Sequence, residues 1–246
     1  MRIIISPAKK MNVDEDTLEY MDLPVFLKDA CRIMNWMKSL NLEEAKALWG
    51  CNDKLAEQNF ERFQNMDLNR RLTPAILSYE GIQYQYMAPA VFEDRMLSYV
   101  QEHLRILSGF YGVLRPMDGV TPYRLEMQAK TVIDDIHGLY DFWGNRLYRE
   151  VSDDSHIIIN LASKEYSKCI EPYLSSDDRF ITCIFGEIIG EKIIQKGTFA
   201  KMARGEMVRF MAEENITKPE EMQKFCRLGY HFLKSASTDT EYVFIK

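Results

Sequence analysis

The sequence has few cysteines and no long apolar run. Its 246 residues include five cysteines, with no Cys-x-x-Cys pair, so it predicts neither a disulfide framework nor a zinc ribbon. No apolar stretch approaches the roughly eighteen residues that cross a bilayer, and the isoleucine run near the start is too short for a signal-peptide core. We therefore expect a cytoplasmic protein with no membrane partner.

The common metal and nucleotide motifs are also missing. The four histidines are far apart, with no His-x-His and no His-Glu-x-x-His, so we expect no metal site and no bound cofactor. The phosphate-binding loop, the dinucleotide fingerprint and the nucleophile elbow of serine hydrolases do not occur either. These absences remove the most frequent enzyme classes without excluding an enzyme.

Positive charge is scarce overall but locally concentrated. The formal net charge is -6, which argues against a protein that coats polyanions with its whole surface. Between residues 192 and 212, however, five basic side chains stand against one acid. In a predicted helix over 199–215, Lys201 and Arg204 share one side while Arg209 lies farther round. This segment indicates either a local anion-binding surface or a solvated face that answers the acidic segment 14–22.

Glycines and arginines cluster in two other places. Gly205 interrupts the predicted helix, as happens where another backbone or a ligand approaches closely. Between residues 108 and 127, Gly109 and Gly112 permit close backbone approach, while Arg115 and Arg124 offer forked donors suited to phosphate or carboxylate. We interpret the segment as an anion-binding loop. The alternative is that Gly109 ends a helix and that the arginines pair with the chain's own acids.

The element pattern predicts an α+β fold in one mixed domain over 1–246, with a mixed sheet and no linker. The first third is mostly helical after a short buried strand at 2–5. The remaining elements follow as an amphipathic helix over 92–107, a short strand near 130–133, a helix near 139–151, a buried strand at 156–163, a hairpin over 179–195, the helix over 199–215 and closing strands at 229–233 and 242–245. The loops at the strand ends would form a basic cleft.

Polar side chains near those strand ends form a candidate catalytic set. The candidates are Lys9, Glu126, Asn160 and Tyr166, with Ser163 beside them. Lys9 would serve as a base or nucleophile if these side chains met in one cleft with Arg124 and Arg204. Taken singly, each is better explained by a loop cap or a buried hydrogen bond. Only convergence in space would favour catalysis.

Several short segments together resemble a known family, the YaaA family of peroxide stress-resistance proteins. The segments match in order and spacing along nearly the whole chain. They are Ser6-Pro-Ala-Lys9, Leu107-Ser-Gly-Phe-Tyr-Gly-Val-Leu-Arg-Pro-Met-Asp118, Pro122-Tyr-Arg-Leu-Glu-Met127, Asn160-Leu-Ala-Ser-Lys-Glu-Tyr166 and Lys201-Met-Ala-Arg-Gly205.

This resemblance implies a peroxide stress response protein linked to limiting free intracellular iron. It also implies binding of double-stranded DNA, without sequence specificity, through a basic cleft that includes a helix-hairpin-helix-like element around 109–112. No stable protein partner is inferred. The residues expected to contact DNA or another anion are Lys9, Arg105, Gly109, Gly112, Arg115, Tyr123, Arg124, Ser163, Lys201, Arg204, Gly205 and Arg209.

Two classes of function besides DNA binding stay open at this stage, an enzyme and an interaction protein. An enzyme acting on a nucleobase, a nucleotide or damaged DNA would place the catalytic set in a deep polar pocket. A simple DNA-binding protein would instead show an open basic groove wide enough for a duplex. An interaction protein would expose a large apolar patch.

Overall fold

The centre of the molecule is a mixed β-sheet. The computed structural model describes residues 1–14 and 16–246, so Glu15 of the acidic segment lies outside the described residues. The strands are β1 (Arg2–Ile5), β2 (Lys10–Met11), β3 (Thr73–Pro74), β4 (Tyr79–Glu80), β5 (Leu104–Ser108), β6 (Gly112–Leu114), β7 (Gly119–Val120), β8 (Val132–Ile133), β9 (Ile136–His137), β10 (Ile157–Leu161), β11 (Arg179–Ile189), β12 (Lys192–Ile194), β13 (His231–Phe232) and β14 (Glu241–Ile245).

Helices surround the sheet and make up most of the first third of the chain. The α-helices are α1 (Leu27–Ser39), α2 (Leu42–Trp49), α3 (Asp53–Gln64), α4 (Ala75–Ser78), α5 (Ile82–Met87), α6 (Asp94–His103), α7 (Leu139–Trp143), α8 (Arg146–Val151), α9 (Lys164–Ser167) and α10 (Gly197–Glu213). Short 3-10 turns lie at Pro89–Val91, Glu171–Tyr173, Pro219–Lys224 and Lys234–Ala236. The predicted mixed helix and strand fold is confirmed.

Within the described residues, eight strands form the main sheet in the order β13-β14-β11-β10-β1-β5-β6, with β12 paired to β11. The strands from β14 to β5 run parallel, while β6 and β13 are antiparallel. Strand β1 is central because it pairs with β10 on one side and β5 on the other. Its isoleucines 3 to 5 are fully buried, as expected for a strand covered on both faces.

Local sequence signals account for several helix boundaries. The Glu44 amide donates to the Asn41 side chain at 3.0 Å and the Asn41 amide donates to the Glu44 carboxylate at 2.8 Å, so α2 begins with a capping box. The Asn52 side chain caps α3 by accepting from the Leu55 amide. The helix predicted near 139–151 is divided into α7 and α8 at Gly144, whose φ of 52° a helix does not accommodate.

The helix predicted over 92–107 is wrong in its second half. The chain leaves the helix at His103 and continues as β5, whose five residues are all buried. A short apolar run has no period that separates a buried strand from a helix turn. The segment becomes a strand because it pairs with β1, with Leu104, Arg105 and Ile106 opposite Ile3, Ile4 and Ile5.

The helix-hairpin-helix-like element predicted around 109–112 is therefore not found there. Residues Gly109 to Tyr111 form the turn between the antiparallel strands β5 and β6. Gly112 has a φ of +76° and packs against Phe26, Trp143 and Leu147. Both glycines are used for packing inside the fold, where their amides do not reach solvent as a phosphate loop would require.

Helix α10 packs against α5 so closely at Gly205 that this position leaves no room for a side chain. A Cβ atom on Gly205 would lie 2.1 Å from the carbonyl oxygen of Gln83 and 2.9 Å from the Met87 nitrogen. The close approach expected at Gly205 is thus made by another backbone. This contact also holds the preceding residue, Arg204, beside the start of α5.

No helix in the described part of the chain is long and apolar enough to cross a membrane.

Candidate functional site

A pocket of about 400 Å³ opens at the carboxyl edge of the central sheet. We call it the sheet-edge pocket. It is lined by the loops that follow β1 and β10, by the start of α5, by residues 123–126 and by α10. From β1 the sheet extends to β5 on one side and to β10 on the other. Ligand sites of open sheets with parallel strands lie at such a change of direction.

The loops after β1 and β10 are joined at the pocket by hydrogen bonds. The Ser163 amide donates to Ser6 Oγ at 2.8 Å, and the two hydroxyl oxygens lie 3.2 Å apart. The Tyr84 hydroxyl donates to the Ser6 carbonyl at 3.0 Å. Ser163 is therefore a pocket-lining residue whose position is fixed by the neighbouring strand loop.

Glu126 carries negative charge between two cations at the pocket wall. Its Oε1 atom lies 3.0 Å from Lys9 Nζ and 3.4 Å from Arg124 Nη2. The backbone that presents these residues lies against Gly109, since a Cβ atom there would be 2.6 Å from the Leu125 carbonyl oxygen. The Trp49 indole also donates to the Arg124 carbonyl at 2.6 Å. Gly109 thus helps to position Arg124 and Glu126 through backbone packing, and not by contacting a ligand itself.

Arg204 brings an uncompensated positive charge to the same pocket. It lines the cavity together with Lys201, and neither side chain forms an ion pair or hydrogen bond with any other described residue. The Arg204 Nε atom is inaccessible to solvent and has no acceptor among the described residues, as is true of Arg124 Nε. Burial lowers the pKa of the Arg204 guanidinium from its ordinary value, although an arginine stays protonated at neutral pH.

Aromatic hydroxyls and a further carboxyl complete the wall. Burial raises the pKa of Tyr166 well above its ordinary value, so its hydroxyl is a hydrogen-bond donor at neutral pH. Tyr123 is held by Ser108 at 2.6 Å and by Tyr79 at 2.8 Å, and burial raises its pKa to about 12. Burial also raises the pKa of Glu165, and the nearby Glu126 carboxylate adds to this effect.

An open groove of about 840 Å³ adjoins the pocket and shares Lys9, Lys10 and Arg124 with it. We call it the basic groove. Its cationic lining residues are Lys9, Lys10, Arg62, Arg70, Arg71 and Arg124, and Asp67 is its carboxylate. Neither Arg62 nor Arg70 forms an ion pair with a described residue, and Arg62 donates only to Asn59 at 3.2 Å. The groove is therefore strongly positive in a chain of net charge -6.

Most of the candidate residues from the sequence converge on the sheet-edge pocket. Those that line it are Lys9, Tyr123, Arg124, Glu126, Ser163, Tyr166, Lys201 and Arg204. They come from parts of the chain as distant as residues 9 and 204. The spatial convergence that a catalytic interpretation requires is thus present for three of its four candidates, Lys9, Glu126 and Tyr166.

Asn160 is the exception in the catalytic set. It is 4% exposed, accepts from the Ala162 amide at 3.0 Å and donates to Thr182 Oγ1 at 3.2 Å. Through these two bonds the side-chain amide of Asn160 links the end of β10 to the neighbouring strand β11. Asn160 does not line the pocket, so it does not join the other three candidates there.

Arg105 and Arg115 line a separate cavity that shares no residue with the pocket or the groove. Arg105 is 4% exposed and donates to the carbonyl of Leu104 at 2.7 Å, and burial lowers its pKa to about 10. Arg115 lies 3.7 Å from Glu150. Neither arginine lines the pocket or the groove that Arg124 lines.

Other expected DNA contacts are occupied within the fold. Arg209 Nε lies 2.8 Å from Glu213 on the same helix, as expected for an i,i+4 pair. Gly205 is buried against α5, and Gly109 and Gly112 are buried in the β5–β6 hairpin. The assignment of these three glycines as anion contacts is corrected, because other atoms of the protein fill the space that a ligand would need.

Sequence reasoning missed the part of the groove formed by the end of α3 and the loop after it. The doublet Arg70-Arg71 and Arg62 eight residues before it were the available signal. That signal is weak because most arginines of a folded protein are simply exposed to solvent. Among the described residues, no group of three or more His, Cys, Asp or Glu side chains is arranged to hold a metal ion.

The fold and site define a mixed α/β protein with a charged pocket at its sheet edge and a basic groove beside it. The family model described as "Peroxide stress protein YaaA" matches residues 1–236. Similar proteins are each called "UPF0246 protein". One from Agathobacter rectalis is 62% identical over 99% of this chain and 98% of its own length. One from Lachnoclostridium phytofermentans is 56% identical over 100% and 96%. One from Pediococcus pentosaceus is 54% identical over 100% and 98%.

The chain belongs to the YaaA family of peroxide stress proteins. The resemblance carried by the short segments is thereby confirmed. Membership supports a role in the response to peroxide, and the chemistry behind that role has to be argued from the pocket and the groove.

Proposed function

We propose that the protein binds double-stranded DNA through the basic groove, by contacts to phosphate and without reading base sequence. The observation that carries this proposal is the concentration of cations in one open groove, with Arg62 and Arg70 lacking a described carboxylate partner. Arginines that are not paired internally are available to displace counterions from a phosphate backbone. The cations of the groove are suited to phosphate contacts, so we expect recognition by charge and shape.

Binding of this kind would connect to peroxide stress by covering DNA during oxidation. The link to intracellular iron belongs to the same proposal, because a covered phosphate backbone offers fewer sites to iron cations. This part of the proposal is supported by the family membership and by the charge of the groove.

The double variant Arg62→Ala/Arg70→Ala should weaken binding and reduce the salt slope by about 2, since each lost phosphate contact removes close to one unit. The measurement is fluorescence anisotropy across a salt series. The probe is a duplex closed by a hairpin at both ends, so that it carries no terminal phosphate. Two unrelated base sequences of equal length should bind alike.

The matched control removes two exposed charges elsewhere, in the variant Lys28→Ala/Arg149→Ala on α1 and α8. It should keep the slope of the unmodified protein. Equal slopes for the two double variants would overturn the groove as the binding surface. Failure of the closed duplex to bind at low salt would overturn DNA binding itself.

A second candidate function is an enzyme acting on a nucleobase, a nucleotide or damaged DNA. The observation that favours it is the meeting of Lys9, Glu126 and Tyr166 in one pocket. A positioned general acid or base contributes about 10²- to 10⁴-fold to a rate. Lys9→Met should therefore reduce any turnover at least about 100-fold.

Product formation would be followed by mass spectrometry on nucleosides, nucleotides and oxidised duplexes. Lys168→Met is the control, since Lys168 is an exposed lysine outside the pocket. Equal turnover by the two variants would remove Lys9 from the chemistry. Absence of product from every substrate would leave the pocket with a binding role alone.

A further inference from the structure

The sheet-edge pocket holds more positive charge than its own carboxylates neutralise. Its cations are Lys9, Lys10, Arg124, Lys201 and Arg204, and its carboxylates are Glu80, Glu126 and Glu165. Glu80 lies against Lys10, and Glu126 lies between Lys9 and Arg124. The surplus charge is therefore located on α10, at Lys201 and Arg204.

The cost of this arrangement falls mainly on Arg204. Arg204 is partly buried, and burying part of a guanidinium without a counter-charge is unfavourable because no ion pair offsets the lost hydration. Its Nε hydrogen also lacks an acceptor within the described residues, and buried donors are nearly always satisfied. The packing of α10 on α5 at Gly205 places Arg204 at the pocket, but α5 supplies no counter-charge to it. A ligand that supplies an anionic oxygen would satisfy both the charge and the donor.

The size and lining of the pocket specify the ligand further. About 400 Å³ exceeds what a bare oxyanion fills and lies within the range of small-ligand sites. Tyr84, Tyr123 and Tyr166 line the pocket with 3–6% of each residue exposed, which gives a planar group a small aromatic wall. Glu126 and Glu165 offer acceptors for sugar hydroxyl or base amino groups, and an arginine fork matches the oxygens of a phosphate.

We propose that the sheet-edge pocket binds a phosphate monoester of a nucleoside, with Arg204 as the counter-charge of the phosphate and Lys201 as its second cation. The ligand is either a free mononucleotide or the phosphorylated end of a nucleic-acid strand, since both present the same chemistry. Lys201 and Arg204 do not line the basic groove, so this inference does not depend on the proposed DNA binding.

The test is isothermal titration calorimetry with deoxynucleoside 5′-monophosphates, the matching nucleosides and inorganic phosphate. Mononucleotides should bind at least about tenfold more tightly than either nucleosides or phosphate, because only they use both the cations and the aromatic wall. Nucleosides that bind equally well would overturn the role of the phosphate. Inorganic phosphate that binds equally well would reduce the pocket to a site for a bare anion and would also overturn the proposal.

Two variants of α10 assign the phosphate contact. Arg204→Met should lower mononucleotide affinity at least about tenfold, the effect of losing a charged hydrogen bond, while the free variant should melt at or above the temperature of the unmodified protein. Arg209→Met, on the same helix but paired with Glu213, should leave the affinity unchanged. Full affinity in Arg204→Met would refute the assignment, and the melting temperature shows whether a loss of affinity comes from unfolding.

Short oligonucleotides separate the two sources of the ligand. Strands with a 5′-phosphate, a 3′-phosphate or only hydroxyl ends would be compared with the mononucleotide. Preference for a phosphorylated end supports a strand terminus, and binding of the mononucleotide alone supports a free nucleotide. If neither binds while the closed duplex still binds in the groove, this inference fails and the DNA proposal stands.

Discussion

Gly205→Ala is expected to lower the free energy of unfolding by about 3 kcal/mol, the upper end of the range for added atoms in a packed interior. In an isolated helix the same change would be favourable by roughly 1 kcal/mol. The added Cβ atom, however, would lie 2.1 Å from the Gln83 carbonyl oxygen, so α10 and α5 would have to move apart. Urea denaturation followed by circular dichroism measures the loss.

Gly197→Ala is the matched control because it lies in the first turn of the same helix, with no atom within 4 Å of the added Cβ. It should leave the free energy of unfolding unchanged or slightly higher. A Gly205→Ala protein as stable as Gly197→Ala would contradict the close contact between the helices. Because Arg204 is adjacent to Gly205, the Gly205→Ala variant should also bind more weakly any ligand that contacts this arginine.

Asp118→Asn is expected to stabilise the protein at pH 8, by up to about 4 kcal/mol, and to have little effect near pH 4. Asp118 is 3% exposed, and burial raises its pKa from 3.8 to about 7 despite the hydrogen bond from the Arg115 amide. The folded protein therefore keeps a proton that the unfolded chain has already lost. This contribution to stability is present below pH 3.8, decreases as the pH rises and is gone above about 7.

The measurement compares the unfolding free energies of the two proteins at several pH values between 4 and 8. An asparagine keeps the acceptor for the Arg115 amide and has no charge to bury, so the difference between the proteins should grow with pH. Asp141→Asn, at an exposed carboxylate of α7, should follow the unmodified protein. A constant difference across this range would show that Asp118 is ionised in the folded state throughout.

The elements with strong local signals were predictable from the sequence. The capping box at Asn41 and Glu44, the strand at 157–161 and the helix from residue 197 onward depend on neighbours within one turn or one strand. Strand β5 was not predictable, since it is chosen by pairing with β1 about a hundred residues earlier in the chain. Local periodicity carries no information about such a partner.

The candidate site shows the same division. The residue types suited to an anion were visible in the sequence at Lys9, Arg124 and Arg204. The sequence did not show which of the arginines can reach a ligand, because this depends on their burial and on their pairing with other residues of the chain. Arg105 and Arg124 look alike in sequence. Arg105, however, donates to carbonyl groups of its own strand and of the preceding helix end, while Arg124 lines the sheet-edge pocket. The contribution of Arg62 and Arg70 required the packing of α3 beside the loop after β1.

The central position of β1 also affects how the protein is made. Both partners of this strand lie far downstream, at residues 104–106 and 158–161. At about 5–20 residues per second, a ribosome takes roughly 8–30 s to reach the second partner. During that time the isoleucines of β1 leave the exit tunnel with no sheet to join. Chaperones that act on nascent chains would therefore meet this segment before its partner strands are made, and slower translation would lengthen its exposure to aggregation.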